Sequence, residues 1–172
     1  IEELKKYRRI STSLGGHHEY NLNNRIEATT GLLGQGFATA VGLAIGEKYL
    51  ESTFNRKKNT IFDYNIYCIC SDGDLMEGIT YEAASLAGTL ELDNLIVLYD
   101  SNAVTADGDI EKTSVEDIEA RFSSINWEVI RVKKGESVKE ISNAIDKAKK
   151  SSRPVLIEVE TVLGIYSKYE GT

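Results

Sequence analysis

Proline occurs once in this sequence, cysteine twice and histidine twice, in 172 residues. Two cysteines supply no disulfide framework, so a packed core has to hold the fold. A reducing setting suits that usage, and the expected localisation is cytoplasmic. The lone proline, Pro154, stands late, and no Pro-, Gly- or Ser-rich linker divides the chain. No uninterrupted apolar run reaches the roughly 18 residues of a membrane span, so no membrane partner is expected. A basic block is missing too: 20 Lys and Arg face 27 Asp and Glu, a net charge of −7. Sequence-independent nucleic-acid binding needs clustered cations against phosphates, so nucleic acid is not an expected partner. Repeats and low-complexity tracts are absent, and no signal segment is expected. The chain opens on Ile1 and its single methionine is Met76. The expectation is one domain, residues 1–172, excised from a longer chain.

What is present is ordinary for a soluble domain: 41% apolar and 27% charged residues, on a length that buries one sizeable core. Gly34 to about Tyr49 carries Phe37, Val41, Ala44 and Ile45 at helical spacing. Tyr64–Cys70 is aromatic and β-branched, as a buried strand requires. A helix is expected from about Tyr81 to Leu92, then a strand over Asn94–Tyr99. The capping-box pattern Ser114-Val-Glu-Asp117 opens a helix to about Ser123, and Trp127–Val132 reads as a strand. A second box, Ser137-Val-Lys-Glu140, opens an amphipathic helix bearing Val138, Ile141, Ala144, Ile145 and Ala148. Val155–Val159 closes the series as a strand. Strand and helix alternate, which predicts an α/β fold: three αβα layers around a mainly parallel sheet. Ligands on such sheets lie beyond the carboxyl ends of the strands.

Two of those ends carry chemistry. Ser71-Asp72-Gly73-Asp74-Leu75-Met76-Glu77-Gly78 follows one strand, and Asp100-Ser101-Asn102-Ala103-Val104 follows the next. Glycines admit a phosphate close to backbone amides, and a helix start favours its charge. A carboxylate and an amide oxygen from adjacent strands hold a hard divalent cation, with phosphate oxygens as its remaining ligands. The residues therefore read as a metal-bridged diphosphate site; the competing reading is a solvated turn whose acids merely start a helix. Cys68 and Cys70 point to one side of a strand, which argues against a disulfide between them, and no further ligands stand near for a metal pair.

Asp72 and Asn102 stand 30 positions apart. This spacing resembles the thiamine diphosphate signature, a Gly-Asp-Gly with an Asn about thirty residues on. The first glycine is here Ser71, and a register through Asp74 gives a spacing of 28; Gly73 and the position of Glu77-Gly78 favour Asp72. The surrounding residues resemble the transketolase family in particular: Asp74-Leu-Met-Glu-Gly-Ile79, Glu82-Ala-Ala-Ser-Leu-Ala-Gly88 and Leu95-Ile-Val-Leu-Tyr-Asp-Ser-Asn102. Upstream, Gly16-His17-His18-Glu19 and Thr29-Thr-Gly-Leu-Leu-Gly-Gln-Gly36 resemble Gly-His-Pro-Glu and Thr-Thr-Gly-Pro-Leu-Gly-Gln-Gly, with His18 and Leu32 in place of prolines. Asn126-Trp-Glu-Val-Ile-Arg131 and Thr161-Val-Leu-Gly164 match later landmarks, so the resemblance runs over nearly the whole chain.

The resemblance implies the following. Asp72, Asn102 and the Val104 carbonyl bind Mg or Ca, which carries the diphosphate of thiamine diphosphate. Gly73 backs the diphosphate, and Gly31 and Leu33 line the pyrimidine ring. His17 contacts the donor sugar near its reacting carbon, and Glu77 lies at the interface of a homodimer, linked to the twin active site. An imidazole with a near-neutral pKa suits such a contact; a plain loop histidine, helix-entry packing and a first-turn carboxylate are the competing readings of His17, Gly31/Leu33 and Glu77. The implied reaction moves a two-carbon ketol unit from a phosphorylated ketose to a phosphorylated aldose, in the pentose phosphate pathway. This chain is then an incomplete diphosphate-binding domain; the pyrimidine-binding and C-terminal domains lie outside it, and the chain alone is expected to be inactive. Weighed beside this are a dihydroxyacetone synthase-like relative, a split enzyme, and a degenerate non-catalytic dimerisation module; deoxyxylulose-phosphate synthase and the 2-oxo-acid dehydrogenases fit the motifs less well.

Overall fold

The structure, a computed structural model, describes residues 2, 4–9, 12, 15–17, 19–24, 26–105, 108–166 and 168. Its elements in order are α1 (Gln35–Phe54), β1 (Ile66–Ser71), α2 (Asp72–Met76), α3 (Gly78–Thr89), β2 (Leu95–Ser101), the short β3 (Val104–Thr105) and β4 (Gly108–Asp109), α4 (Ile118–Ser124), β5 (Glu128–Val132), α5 (Val138–Ala148) and β6 (Val155–Glu160). β1, β2, β6 and β5 lie in that order in one sheet, every pairing parallel. β3 and β4 form a separate antiparallel hairpin.

Two apolar clusters cover the two faces of the sheet, giving the expected three layers. One joins Phe37, Val41 and Ala44 of α1 to Cys68, Cys70, Leu95, Val97, Tyr99 and Leu156 of the strands, with Phe122 and Trp127 beside them. The other sets Ala144 and Ala148 of α5 against Ile96, Ile130, Val132, Val155 and Ile157. Trp127 packs edge-on to Phe122 at 5.2 Å, and its indole N–H donates to the Ala84 carbonyl at 2.9 Å. Burial of a side chain of this size contributes roughly 3 kcal/mol, and the satisfied N–H keeps that gain from being offset. A polar contact pins α1 to the sheet: the Asn94 amide, just before β2, donates to the Ala44 carbonyl and to the buried Glu47 carboxylate at 2.8 Å.

Three expectations are corrected. β1 is a strand but only half-buried: Cys68 and Cys70 face the core, while Tyr67 and Ile69, on the other face of this edge strand, are exposed, Ile69 to 80%. The helix expected from about Tyr81 to Leu92 is α3 and starts earlier, at Gly78, with Asp72–Met76 before it coiled into one helical turn. The cap of α4 is Asp117, not Ser114: the Asp117 carboxylate accepts from the Ala120 N–H at 2.9 Å, and Ser114 turns its hydroxyl to the Glu116 N–H. The same short side chain fits a turn as well as a cap. At α5 the Ser137 hydroxyl accepts from the Glu140 N–H as the pattern requires, although Val138 remains exposed.

Cys68 and Cys70 are free thiols, as the strand geometry requires. Burial, with help from the nearby Asp74 charge, pushes the Cys68 thiol from an ordinary 9.0 up to about 11. The thiolate is the reactive form, so both cysteines are expected to resist maleimide at pH 8 and to label at least 100-fold faster in denaturant. A raised folded value also means stability is kept below pH 9 and lost as the pH rises toward 11. Denaturant midpoints taken across that range check the sign, and a rising midpoint would contradict it.

Candidate functional site

Parallel register decides which residues meet at the carboxyl edge. Ser71 of β1 pairs with Asp100 of β2, so Asp72 and Asn102 leave neighbouring strands at the same end. A cleft of about 420 Å³ opens there, lined by Leu33, Gly73, Glu77, Asn102 and Val104 among others. Five of the eight residues singled out in the sequence thus share one cavity. A Cβ placed on Gly73 would lie 3.2 Å from Leu33 Cδ1, so the Leu33 side chain rests directly over that glycine. Asp72 lines the adjoining cleft with Tyr99 and Ala103, and Met76 borders both. His17 and Gly31 are exposed in the coil before α1 and are not in the lining of the cavity. His18 lies outside the described residues.

The two aspartates that compete for the signature have opposite environments. Asp74 is fully engaged: one carboxylate oxygen accepts from the Ser71 N–H and the Ser71 hydroxyl, and the other accepts from the Gly34 N–H at 2.9 Å. This carboxylate clips α2 shut and ties it to the start of α1. Gly34 has φ +77, and a Cβ there would lie 2.7 Å from Thr80 Oγ1, so no side chain fits the junction. Thr80 in turn donates to the Asp74 carbonyl at 2.6 Å, which locks α3 to the same turn.

Asp72 is 3% exposed; Oδ1 accepts from the Tyr99 hydroxyl at 2.5 Å, and Oδ2 has no hydrogen-bond partner. A buried carboxylate oxygen without a donor costs several kcal/mol unless a cation meets it. Burial, then the bond to Asp72, hold the Tyr99 hydroxyl above the usual phenol range, so it stays protonated as the donor. Ser71 has φ −120 and ψ 178, an extended backbone open to any residue, so serine in place of glycine strains nothing and adds a bond to Asp74.

Asn102 is oriented by its neighbours. Its amide nitrogen donates to Asp100 at 3.2 Å, and its oxygen accepts from the Val104 N–H at 3.0 Å, across Ala103 at φ 59. The other Asp100 oxygen accepts from the Thr161 hydroxyl just past β6. Among the described residues no three His, Cys, Asp or Glu side chains gather into a metal cluster. The donor set here is instead mixed: one free carboxylate oxygen, one amide oxygen and backbone carbonyls, all hard oxygen donors that fit a divalent cation with phosphate oxygens as further ligands. Tyr99, Asp100 and Thr161 stand inside segments that the sequence points to, but no local pattern assigns them a role. Tyr99 and Asp100 lie inside the strand next to Asn102, a position that carries a signal only once the strand register is known.

These observations accord with the comparisons. The family profile described as transketolase, thiamine diphosphate binding domain, matches residues 1–172. The transketolase of Halalkalibacterium halodurans is 48% identical over 171 residues, 99% of this chain and 26% of that protein. The solved structure of transketolase from Leishmania mexicana superposes with a TM-score of 0.91 at 40% identity, over 99% of this chain and 26% of its own. One from Pichia stipitis, in complex with sedoheptulose 7-phosphate, gives 0.88 at 38% identity over 99% and 25%. The chain spans about a quarter of the length of these relatives.

Proposed function

Because the chain belongs to the transketolase family, as its thiamine diphosphate binding domain, we propose that the protein carrying it transfers a two-carbon ketol unit from a ketose phosphate to an aldose phosphate. The Pichia relative bound to sedoheptulose 7-phosphate supports sugar phosphates as substrates. The observation that carries the site assignment is the unpaired, buried Oδ2 of Asp72. A degenerate dimerisation module would have no reason to keep that cost, which burial of an unpaired carboxylate oxygen sets at several kcal/mol.

In this reading Asp72, Asn102 and the Val104 carbonyl hold Mg or Ca. Gly73, without a side chain, lets the diphosphate approach the backbone. Leu33 and Gly31 form the wall against the pyrimidine ring. Thiamine diphosphate, when bound, supplies the carbanion chemistry that neither amino acid side chains nor the cation can provide. His17 contacts the donor sugar, accepting or donating one proton at a sugar oxygen. Glu77, exposed between α2 and α3, meets the second subunit of a homodimer. The pyrimidine-binding and C-terminal domains complete the enzyme elsewhere in the protein, in the cytoplasm and in the pentose phosphate pathway.

The test is ketol transfer by the full-length protein, from xylulose 5-phosphate to ribose 5-phosphate with thiamine diphosphate and magnesium. Turnover is expected there and none from residues 1–172 alone. Turnover by the short chain would overturn the division of labour, and turnover only with formaldehyde as acceptor would replace the reaction with that of dihydroxyacetone synthase.

A further inference from the structure

The aspartate at the centre of the site is held from one side only. Tyr99 is 4% exposed, its ring packed in the core cluster that spans α1 and the sheet, and its hydroxyl donates to Asp72 Oδ1 at 2.5 Å. The strand register sets Tyr99 beside Cys70, two residues before Asp72. Both are buried; Tyr99 is fixed by the parallel pairing of β2, and Asp72 opens the single turn α2 directly after β1. The carboxylate therefore has one oxygen committed to a phenol and one with no partner.

We propose that Tyr99 is a positioning residue that makes Asp72 offer a divalent cation a single oxygen, Oδ2, and thereby biases the site toward magnesium over calcium. The proposal rests on the reading of Asp72 as a cation ligand. Magnesium is small and requires near-octahedral single-oxygen ligands, whereas calcium accepts more oxygens and readily takes both from one carboxylate. The donor fixed on Oδ1 occupies one of that oxygen's lone pairs and draws off its charge, so it competes with a two-oxygen grip. Without it, the carboxylate is free to rotate within its pocket and present both oxygens, which suits the larger ion. Partners of metal ligands outside the coordination sphere have effects of this kind on affinity.

The measurement is the dissociation constant of thiamine diphosphate from the full-length protein, by protein fluorescence, with magnesium alone or calcium alone. Tyr99→Phe removes one oxygen and is expected to raise the ratio of the magnesium to the calcium constant by about tenfold. Replacing Tyr99 with 3-fluorotyrosine keeps the bond and strengthens its donor, so the ratio is expected to move the other way; this arm stands even if Tyr99→Phe does not fold. Ile157→Val, a core change away from the site, is expected to lower the melting temperature and leave the ratio unmoved. A ratio unchanged within twofold in the folded Tyr99 proteins, with Asp72→Asn abolishing metal-dependent binding, would overturn the role of Tyr99 alone. Metal-dependent binding that survives Asp72→Asn would instead overturn the ligand assignment beneath it.

Discussion

Asp72→Asn in the full-length protein should abolish metal-dependent retention of thiamine diphosphate, weakening it by at least about 100-fold, while the domain stays as stable as before. Two features of one side chain set these outcomes. Oδ2 is a buried anionic donor with no hydrogen-bond partner, and removing its charge deprives a hard cation of a strong ligand. The same unpaired charge is a liability to the empty fold, so its removal costs folding nothing and can stabilise it. Asp74→Ala should do the reverse. It deletes the acceptor for the Gly34 N–H, the Ser71 N–H and the Ser71 hydroxyl, and the orphaned donors should cost about 3 kcal/mol of stability. Cofactor titration and chemical denaturation of both variants decide the register. If Asp74→Ala kept its stability but lost the cofactor, and Asp72→Asn kept both, the ligand would be Asp74.

Gly88→Ala should prevent the domain from folding. Helix propensity argues the opposite, since alanine in place of glycine inside a helix is worth about 1 kcal/mol of stabilisation. Gly88, however, lies near the end of α3 where the turn between α4 and β5 crosses it. A Cβ there would lie 1.7 Å from the Ile125 carbonyl oxygen and 3.3 Å from Trp127 Cδ1. The turn cannot retreat. Asn126 sits at φ 67 with its amide donating to the Gly88 carbonyl at 3.1 Å, and the Trp127 indole is anchored to Ala84. Overpacking against a fixed carbonyl at such a separation should cost more than about 4 kcal/mol, a large part of the stability of a domain this size. Soluble yield and thermal unfolding, with the half-exposed Leu86→Ala as control, test this; a Gly88→Ala domain as stable as the parent would show that the crossing is looser than described.

How much of this was legible beforehand varies with the kind of force involved. β2 and β6 are buried on both faces, so their near-continuous apolar runs identified them without ambiguity. β1 has the same kind of composition but a bare outer face, and an apolar run does not say whether a neighbour covers it. Helix starts proved harder, because serine and aspartate bond to nearby backbone in turns as well as at caps, and at Ser114 the turn prevailed. Leu33, Gly73, Glu77, Asn102 and Val104 share a cleft, which only the register of β1 against β2 makes visible. His17 and Gly31 remain on an exposed coil outside it, since nothing in a local motif holds such a coil against the sheet.

The amino-acid sequence by itself determined the α/β class, because periodicity is a property of the chain, and its motifs carried the resemblance to the thiamine diphosphate signature, with two candidate aspartates, and to the family. Only the tertiary structure decided which aspartate is free. Asp72 and Asp74 are two positions apart and chemically identical, and they differ solely in what the fold brings to them. Gly34, forty residues away in sequence, satisfies Asp74, while Tyr99 on the next strand satisfies half of Asp72 and leaves the other half unpaired. The cost of an unpaired buried charge depends on its surroundings in space, and those are set by packing rather than by order along the chain.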